Sequence, residues 1–580
     1  MAELIVITGV GIVSALGIGK AETLDALREG RTGIIPAPRY LHTVRRDYPV
    51  GEVPLGNDQL KHRLGITTEP INRTALLGIL AIEEALQQAH LITHDSALIT
   101  LVNGTTVGGM DYTEDYYDDY LAGGPHAKYA AIHDCGSTTE LIARHFSGCF
   151  SWSTTVSTAC SSALNAIISG CNLIRSGQTE MAVVGGSECL TRFHLNGFRS
   201  LMILDHDVCR PFSDDRAGLN LGEGAAYLVI ETLSSAQRRH ATPLGYIRGY
   251  GNACDAYHQT ATSDDGEGPF LAMQKALSMA QLKSGDITAV HAHGTGTPNN
   301  DATEQRALQR VFGDGSLPEV IATKRLTGHT TSAAGSISAV IALLGLQPSS
   351  CVMVNAFGFG GNDSCLILSH EAYKPDESRM GYEPVPLFLK AAARITPSDD
   401  PDFRQWLSPL ESRRMGKLLK RALVTAQQAM DRSGIACPDA IISATRYGCL
   451  DNTEKFLQQL RTAGEEQALS PTSFMQSTHN TIASLIAERH HCHGYNTTYS
   501  HGTHSMEAAL TDACLQLTMG DINSALVIVN DEMTPSWADA LRHAGIDPMP
   551  AVSASYMLST DPTNALCEIE DLQDLITHKS

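Results

Sequence analysis

Three short stretches of this sequence, far apart in the chain, carry side chains that together could form a carbon–carbon bond on thioesters. They are VSTACSSA around Cys160, HAHGTGTPNND around His293, and TKRLTGHTTSAAGS around Lys324 and His329. A cysteine thiol can hold an acyl chain as a thioester. The two imidazoles can manage the charge that develops when a malonyl unit loses carbon dioxide. The sequence therefore predicts one active site assembled from these three stretches.

Cys160 is predicted to lie at a turn between a strand and a helix. Residues 153–159 are rich in Thr, Val and Ser, which is typical of a strand, and apolar residues then recur at helical spacing until Gly177. The free N–H groups and the dipole at a helix N-terminus favour a thiolate, so we expect Cys160 to be activated there. Most cysteines are buried and inert, but the turn and the two histidine motifs favour a nucleophile.

The two histidines are predicted at positions that a substrate can approach closely. His293 follows a short apolar strand at 288–292, and open α/β sheets bind ligands at the C-terminal ends of their strands. Small Gly and Thr residues follow it. His329 has similar neighbours and precedes a run of small residues that opens a helix. Outside this motif Lys324 would be interpreted as a solvated surface residue.

These motifs resemble those of the β-ketoacyl-acyl carrier protein synthases, the elongating condensing enzymes of the thiolase superfamily. The likeness runs from VITGVGIVSALG (6–17) to NAFGFGGNDSCLIL (355–368), and includes CRPFSDDRAGLNLGEGAAYLVIE (209–231) and DAYHQTA (255–261). Several independent motifs in the same order make the resemblance specific. It implies an α/β chain with a thiolase-like fold, layered α-β-α-β-α, and 3-oxoacyl-[acyl-carrier-protein] synthase activity by decarboxylative Claisen condensation.

The resemblance also implies a catalytic role for each matching residue. Cys160 would receive the acyl chain from an acyl carrier protein. His293 and His329 would hydrogen-bond the malonyl thioester carbonyl and stabilise the enolate left by decarboxylation. Lys324 would orient this group, paired with Glu304.

Further residues are implied to bind the substrates. The backbone N–H groups of Phe359 and Cys160 would form the oxyanion hole, and Phe359 would also gate access for the second substrate. Two threonines would contact the phosphopantetheine arm, a phenylalanine would line the acyl tunnel, and glycines flank Phe359 in the GFGG loop. The substrate-binding residues are Thr295, Thr297, Phe198, Gly358 and Gly360. The resemblance implies no metal and no cofactor beyond the phosphopantetheine of the carrier protein.

Two features depart from the family pattern. Only LQPSSCVMV separates Gly345 from Asn355, where the family has a longer connection. The resemblance therefore leaves open the floor of the acyl tunnel and the pairing of the final strand. Asn362 and Asp363 follow GFGG where the family carries threonine and asparagine. Neither departure removes a catalytic residue.

The 580-residue chain is too long for a single condensing unit, and its remainder repeats the first half. TTVSTACSSALNAIISGCNLI (154–174) aligns without gaps with TTYSHGTHSMEAALTDACLQL (497–517). Thr503, or Gly502 if the register slips by one, stands at the position of Cys160. No second copy of HGTGT, GHT or GFGG follows. The predicted domains are two halves of a catalytic unit, a linker and an inactive C-terminal unit, at residues 1–240, 241–371, 372–384 and 385–580.

The C-terminal unit is interpreted as a half-thiolase-like α/β domain that has lost its chemistry. It is similar in kind to the chain-length-factor partners of type II polyketide systems, although truncated. In thiolase-fold dimers the N-terminal halves pair their strands near the nucleophile. We therefore hypothesise that residues 385–575 dock on the catalytic unit as an internal pseudo-partner and supply the far wall of the acyl tunnel. Docking elsewhere on the surface is the alternative, and a true homodimer also stays open.

Charge limits the possible partners. A net charge of −21 argues against nucleic acid as a partner. An acidic carrier protein would need a local basic patch on this acidic chain. The candidate patches are Lys61, Arg63 and Arg73, or Arg413, Arg414, Lys417, Lys420 and Arg421.

Other features of the sequence bear on metal binding and location. The run from His490 to His493 is dense in potential ligands, but adjacent residues rarely point at one metal, and no CxxC or HExxH spacing occurs. The chain opens with a strand rather than a signal peptide, and no apolar run is long enough to span a membrane. The 14 cysteines show no disulfide framework. We expect a cytoplasmic protein without a metal site.

Three functional classes remain possible. The first is an elongating ketosynthase of polyene, polyketide or specialised fatty-acid synthesis, which the fused inactive half favours. The second is a non-elongating acyltransferase of the thiolase superfamily. The third is a scaffold or chain-length partner without activity, which the intact Cys160 and both histidine motifs make a poor fit. The starter acyl group and the product length stay open.

Overall fold

Residues 3–240 form a sheet with helices on both faces. The computed structural model of the protein describes residues 3–67, 70–91, 99–313, 317–374, 385–396, 398–465 and 467–569. The strands here are β1 (Ile5–Ser14), β2 (Gly17–Ile18), β3 (Ile99–Gly104), β4 (Phe150–Val156), β5 (Met181–Glu188) and β6 (Gly224–Thr232). The helices are α1 (Lys20–Arg28), α2 (Asn57–Arg63), α3 (Arg73–Gln88), α4 (Met110–Ala122), α5 (Cys135–His145), α6 (Ser162–Arg175), α7 (Arg192–Ser200) and α8 (Leu233–Arg238). The strand order is β1–β6–β5–β3–β4, with β2 beside β1.

Residues 245–371 form a second sheet. Its strands are β7 (Gly245–Cys254), β8 (Ala289–His291), β9 (Glu319–Ile321), β10 (Cys351–Gly358) and β11 (Asn362–Ser369). Its helices are α9 (Glu267–Ala280), α10 (Pro298–Phe312), α11 (Lys324–Thr327) and α12 (Ala334–Leu344). The order is β7–β11–β10–β8–β9, and β7 also pairs with β1. The final hairpin pairs without interruption from Cys351↔Ser369 to Gly358↔Asn362. The short connection therefore leaves the pairing of the final strand intact.

These elements stack as five layers. Helix α3 covers the outer face of the first sheet, and α6 and α12 lie between the two sheets. Helix α9 covers the outer face of the second sheet, with α10 beside it. A helix enclosed between sheets must be apolar on all sides, and nearly every residue of α6 and α12 is buried. The predicted fold class, α-β-α-β-α, is confirmed.

The C-terminal unit repeats the first sheet strand by strand. Its strands are β12 (Phe388–Arg394), β13 (Ala440–Ala444), β14 (Tyr495–Tyr499), β15 (Ser524–Asp531), β16 (Val552–Ser559) and β17 (Cys567–Glu568). Its helices are α13 (Pro409–Arg414), α14 (Lys417–Ser433), α15 (Leu450–Ala463), α16 (Pro471–Ser477), α17 (Thr481–His490), α18 (Ser505–Thr518) and α19 (Pro535–His543). The order β12–β16–β15–β13–β14 matches β1–β6–β5–β3–β4. Of the predicted linker, residues 375–384 lie outside the described part of the chain.

The two copies of the strand before the nucleophile pair with each other. Strands β4 and β14 run antiparallel and meet at Val156 and Tyr499. The N–H of Ser157 donates to the carbonyl of Thr498, and the N–H of Ser500 donates to that of Thr155, both at 2.9 Å. Each bond is the counterpart of the other under the repeat, as in a two-fold symmetric dimer interface. One apolar cluster also extends through both units. The C-terminal unit therefore packs on the catalytic unit beside its nucleophile.

Candidate active site

Cys160 lies at the predicted turn, immediately before α6. Ala159 takes the left-handed conformation with φ of 51°, and a single 3-10 turn, Ala159–Ser161, leads into the helix. The Ser162 hydroxyl fixes this turn, because it accepts from the Thr158 N–H at 2.9 Å and donates to the Ala159 carbonyl at 2.7 Å. Cys160 is 5% exposed. The turn thus presents the thiol from a rigid support to the interior of the catalytic unit.

The structure brings the three chemistry-bearing motifs together. His329 Nε2 lies 3.1 Å from Cys160 Sγ. The rings of His293 and His329 meet edge to face, with 5.4 Å between their centroids. The ammonium of Lys324 donates to the His293 carbonyl oxygen and lies 3.5 Å from His293 Nδ1. All four side chains are buried. The thiol, the two imidazoles and the ammonium therefore form one contiguous group.

Glu304 has a different position from the one implied by the resemblance. Its carboxylate accepts from the N–H groups of His293 and Gly294, each at 2.8 Å, and from the Asn355 amide at 3.2 Å. It forms no direct ion pair with Lys324, although its charge raises the pKa of that residue against a larger lowering by burial. The predicted Lys324–Glu304 pairing is therefore wrong. Glu304 instead fixes the backbone on which His293 is carried.

Burial dominates the electrostatics of the site. It raises the pKa of the Cys160 thiol to about 12, although Lys324 and the N–H groups of Phe359 and Cys160 act in the opposite direction. The pKa values of His293 and His329 lie well below their usual range, first because of burial and then because of the neighbouring Lys324. The expectation of a resting thiolate is therefore wrong, since desolvation outweighs the helix N-terminus. At neutral pH a thiol faces a neutral imidazole.

This protonation state predicts the pH dependence of thiol alkylation. We expect the rate at which iodoacetamide alkylates Cys160 to rise about tenfold per pH unit from pH 7 to pH 9, because the thiolate fraction grows in that proportion below the pKa. Mass spectrometry of the Cys160 peptide measures this rate. A rate that levels off below pH 8 would instead show a thiolate stabilised at the helix N-terminus.

Cys160 separates an inner cavity from an outer cavity. The inner cavity, of 60 Å³, includes Cys160, Phe193, Phe198 and Phe359 in its lining. The outer cavity, of 240 Å³, is lined by the HGTGT segment, His329 and the GFGG loop, and again by Cys160, Phe198 and Phe359. The rings of Phe198 and Phe359 stack with 5.6 Å between their centroids. These two rings therefore stand at the junction of the cavities.

The remaining predicted substrate-binding residues lie on the outer side. The hydroxyls of Thr295 and Thr297 are 2.9 Å apart, and both side chains line the outer cavity. Gly358 and Gly360 line it too. A Cβ atom on Gly360 would lie 2.1 Å from Ser484 Oγ, so the loop needs glycine at this position. Of the predicted site residues, the structure thus places all but Lys324 and Glu304 in the lining of the two cavities, and these two contact His293.

Asn362 replaces the threonine of the family pattern and joins the two units. Its side-chain oxygen Oδ1 accepts from the Ser161 hydroxyl at 3.0 Å and from the Asn165 side-chain amide at 2.7 Å. Its amide donates to the backbone carbonyl of Asn496 at 2.7 Å. The departure from the family therefore supplies a contact between the nucleophile turn and the C-terminal unit.

The C-terminal unit keeps the turn but not the nucleophile. Gly502 has φ of 56° where Ala159 has 51°, and the Ser505 hydroxyl accepts from the His501 N–H at 2.8 Å. The structural counterpart of Cys160 is therefore Thr503, which settles the register left open by the sequence. Thr503 is exposed and lines a wide surface cavity of 760 Å³ with Gly502 and His504.

Sequence reasoning missed the residues that the C-terminal unit contributes to the inner cavity. They come mainly from α16 and the segment after it. The contributing residues are Arg446, Tyr447, Thr453, Phe474, Ser477, Thr478 and His479. His133, Cys135 and His194 of the catalytic unit were also missed. The internal repeat was the sequence signal that could have pointed to them. It relates the segment before β14 to α5, and α5 borders the pseudo-two-fold axis between the two units.

Two residues of the candidate docking patches are buried instead. The Arg73 guanidinium pairs with the Glu223 carboxylate at 2.5 Å, and that of Arg421 pairs with Asp400 at 2.5 Å. Both arginines are at most 7% exposed. Their assignment to a partner-docking surface is therefore wrong, because each guanidinium is buried and held by a carboxylate of the same chain.

The described residues bear on two expectations, that the protein has no metal site and no membrane span. Among them, no group of three or more His, Cys, Asp or Glu side chains is arranged to hold a metal ion. In the same part of the chain, no helix combines the length and apolar character that crossing a bilayer requires. All 14 cysteines lie within the described residues and are free.

A thiolase-like layered fold with a cysteine and two histidines at the junction of two cavities defines a condensing enzyme. Comparison with known families agrees: the N-terminal domain of β-ketoacyl synthases matches residues 2–236, their C-terminal domain matches 244–354, and an N-terminal domain matches again at 390–578. The chain belongs to the β-ketoacyl synthase family. The predicted family and the predicted enzyme class, 3-oxoacyl-[acyl-carrier-protein] synthase, are confirmed.

Individual relatives match about three fifths of the chain, and one solved structure matches nearly all of it. The 3-oxoacyl-[acyl-carrier-protein] synthase 2 of Staphylococcus aureus (strain N315) is 30% identical, over 63% of this chain and 97% of its own length. Nodulation protein E of Rhizobium meliloti (strain 1021) is 31% identical, over 60% of this chain and 87% of its own length. Among solved structures, the ishigamide ketosynthase/chain length factor matches 64% of this chain and all of its own, with 30% identity and a TM-score of 0.59. The PfaC keto synthase–chain length factor matches 96% of this chain and 78% of its own, with a TM-score of 0.76 and 14% identity. This last likeness shows that the fold of both units together occurs elsewhere.

Proposed function

We propose that this chain condenses an acyl group held on Cys160 with malonyl-acyl carrier protein and releases a 3-oxoacyl-acyl carrier protein. The observation that supports this proposal is the position of His329 Nε2, 3.1 Å from Cys160 Sγ. The His293 ring contacts the His329 ring, and Lys324 contacts His293. The site lies between two cavities. One cavity can hold the acyl chain while the other admits the second substrate.

The first half-reaction is acyl transfer. Cys160 Sγ attacks the thioester carbonyl of the acyl-carrier protein, and its proton passes to His329 Nε2. The oxyanion that forms is stabilised by the N–H groups of Cys160 and Phe359. When the tetrahedral intermediate collapses, the carbon–sulfur bond to phosphopantetheine breaks and the departing thiolate takes a proton from solvent, so His329 stays protonated. The acyl chain then occupies the inner cavity.

The second half-reaction is condensation. Malonyl-acyl carrier protein enters through the outer cavity, where Thr295 and Thr297 contact its phosphopantetheine arm. His293 and His329 donate hydrogen bonds to its thioester carbonyl, and carbon dioxide leaves as the enolate forms. The enolate carbon attacks the acyl carbonyl on Cys160. A carbon–carbon bond forms, the Cys160 carbon–sulfur bond breaks, and the Cys160 thiolate regains its proton from His329. In both half-reactions the Lys324 ammonium holds His293 in place, because it contacts the carbonyl oxygen and Nδ1 of that histidine.

The direct test uses a panel of acyl-carrier thioesters together with malonyl-carrier protein. Intact mass reports acylation of the enzyme, and released carbon dioxide and product mass report condensation. We expect both, with a preference for one chain length. Acylation without condensation would support a non-elongating acyltransferase. If the enzyme showed neither acylation nor condensation, the result would support a scaffold or a chain-length partner.

We further propose that the C-terminal unit acts as a built-in chain-length factor. Its α16 and the residues after it line the inner cavity opposite Cys160. The Phe474 ring packs on Phe198, with 5.6 Å between the centroids. Solved ketosynthase/chain-length-factor assemblies of similar fold support the comparison. Polyketide, polyene or specialised fatty-acid synthesis is the setting that this arrangement favours.

Phe474→Ala tests this role of the C-terminal unit. Removing the ring enlarges the closely packed wall of the inner cavity, so we expect products longer by about one two-carbon unit. Product mass after incubation with excess malonyl-carrier protein measures the change. Phe403→Ala is the matched control, because Phe403 belongs to the same unit but does not line the cavity. An unchanged product length in a folded Phe474→Ala enzyme would place the limit elsewhere.

We propose an acyl carrier protein as partner, and the cytoplasm, a reducing compartment, as the location. Free cysteines throughout the chain fit such a compartment. Strand β14 occupies, within the same chain, the β4 edge through which the N-terminal halves of thiolase-fold dimers pair. We therefore propose that the working unit is an internal pseudo-dimer rather than a conventional homodimer.

A further inference from the structure

The segment between α16 and α17 of the C-terminal unit touches the GFGG loop of the catalytic unit. The Asn480 side-chain amide donates to the backbone carbonyl of Phe359 at 2.7 Å. Asn480 is 1% exposed. Ser484, one turn further along α17, packs directly against Gly360. A residue of the inactive unit thus binds the loop that borders the nucleophile.

This contact fixes the backbone of the residue that borders the thiol. The N–H of Phe359 lowers the pKa of the Cys160 thiol, and the carbonyl of the same residue, in the next peptide group, accepts from Asn480. The N–H of the next residue, Gly360, donates to the Gln259 carbonyl at 2.7 Å. The loop cannot swing without breaking the bond to Asn480. A buried carbonyl left without a donor is unfavourable, so the bond opposes that movement.

The same segment also lines the inner cavity. Ser477, Thr478 and His479 stand in its wall, directly before Asn480. His479 Nδ1 lies 3.1 Å from the hydroxyl of Ser157, three residues before Cys160. One continuous segment, residues 477–480, therefore both lines the inner cavity and binds the Phe359 loop.

We propose that Asn480 is a positioning residue for the Phe359 loop. Its hydrogen bond keeps the Phe359 N–H aimed at the acyl carbonyl and keeps the Phe359 ring against Phe198, which closes the junction of the two cavities. The C-terminal unit thereby controls access to Cys160 as well as the length of the inner cavity. This inference rests on the proposed roles of Cys160 and Phe359.

The test compares two electrophiles on Asn480→Ala and Asn480→Asp. Iodoacetamide is small, whereas N-dodecyl iodoacetamide must pass the Phe359 ring to reach Cys160. A lost hydrogen bond of this kind corresponds to roughly tenfold in a conformational equilibrium. We therefore expect the ratio of the dodecyl rate to the iodoacetamide rate to rise about tenfold in both variants, and the acylation kcat to fall by about the same factor.

The aspartate variant keeps the side-chain volume but presents an oxygen to the Phe359 carbonyl, so it decides the question if the alanine variant does not fold. Asn530→Ala is the matched control: Asn530 is a fully buried asparagine of the same unit that does not line either cavity. An unchanged rate ratio in either folded Asn480 variant, or an equal rise in Asn530→Ala, would overturn the proposal. Alkylation needs only the thiol, so a wild-type enzyme that fails to condense leaves this test readable.

Discussion

Cys160→Ala is expected to abolish acylation of the enzyme and to lower condensation by at least about 10⁴-fold. Among the described residues of the catalytic unit, no other thiol combines a strand-to-helix turn with a histidine nitrogen at 3.1 Å. Removing a covalent nucleophile eliminates the route on which the other catalytic groups act. Intact mass after incubation with acyl-carrier thioester and the rate of product release measure the two losses.

Two matched variants show whether the effect belongs to this position. Cys135→Ala removes another buried thiol of the inner cavity, and Thr503→Ala changes the counterpart of Cys160 in the C-terminal unit. Both are expected to acylate and condense within about threefold of the wild type, because neither residue contacts a reacting atom. Stable acylation of the Cys160→Ala enzyme would mean that a different nucleophile carries the chain.

His293→Ala is expected to uncouple the two half-reactions. Acylation should stay within a few-fold of the wild type, because His329 rather than His293 contacts Cys160 Sγ. Condensation should fall by about 10²–10³-fold, the loss typical of one donor to a developing oxyanion. Single-turnover measurements of acylation and of carbon dioxide release from malonyl-carrier protein separate the steps.

His291→Ala is the control for this variant. His291 is also buried, only two residues away, and its pKa is lowered to about 4 by burial, but it does not line either cavity. It should leave both half-reactions nearly unchanged. If His293→Ala slowed acylation as much as condensation, the division of labour between the two histidines would be contradicted.

The retained turn in the C-terminal unit has a structural explanation. The turns at Ala159 and Gly502 follow the two strands that pair across the pseudo-two-fold axis. Gly136 of α5 also approaches Gly502 so closely that a Cβ atom there would lie 2.7 Å from its nitrogen. Losing the turn would therefore disturb the interface, whereas losing the thiol would not. The chain therefore keeps the geometry of the turn in both units, with a thiol in only one of them.

Much of the fold and of the site could be predicted because the signals are local. The turn before Cys160, the strand before His293 and the repeat of 154–174 in 497–517 are encoded in hydrophobic period and in the placement of small residues. The protonation state of Cys160 could not be predicted in this way. A helix N-terminus lowers a thiol pKa locally, but desolvation sums over distant residues that enclose the sulfur, and here desolvation is the larger effect.

The sequence by itself determined the family, the three motifs that carry Cys160, His293 and His329, and the presence of a second N-terminal-type unit, since each depends on residue types at short spacing. Only the tertiary structure decided that Glu304 supports the His293 backbone rather than pairing with Lys324, that Thr503 is the counterpart of Cys160, and that Asn480 reaches the Phe359 loop. The Asn480–Phe359 contact joins residues 121 positions apart, and the other two depend on backbone geometry. Which side chains meet across such distances is fixed by how β4 and β14 join the two units and not by any local pattern.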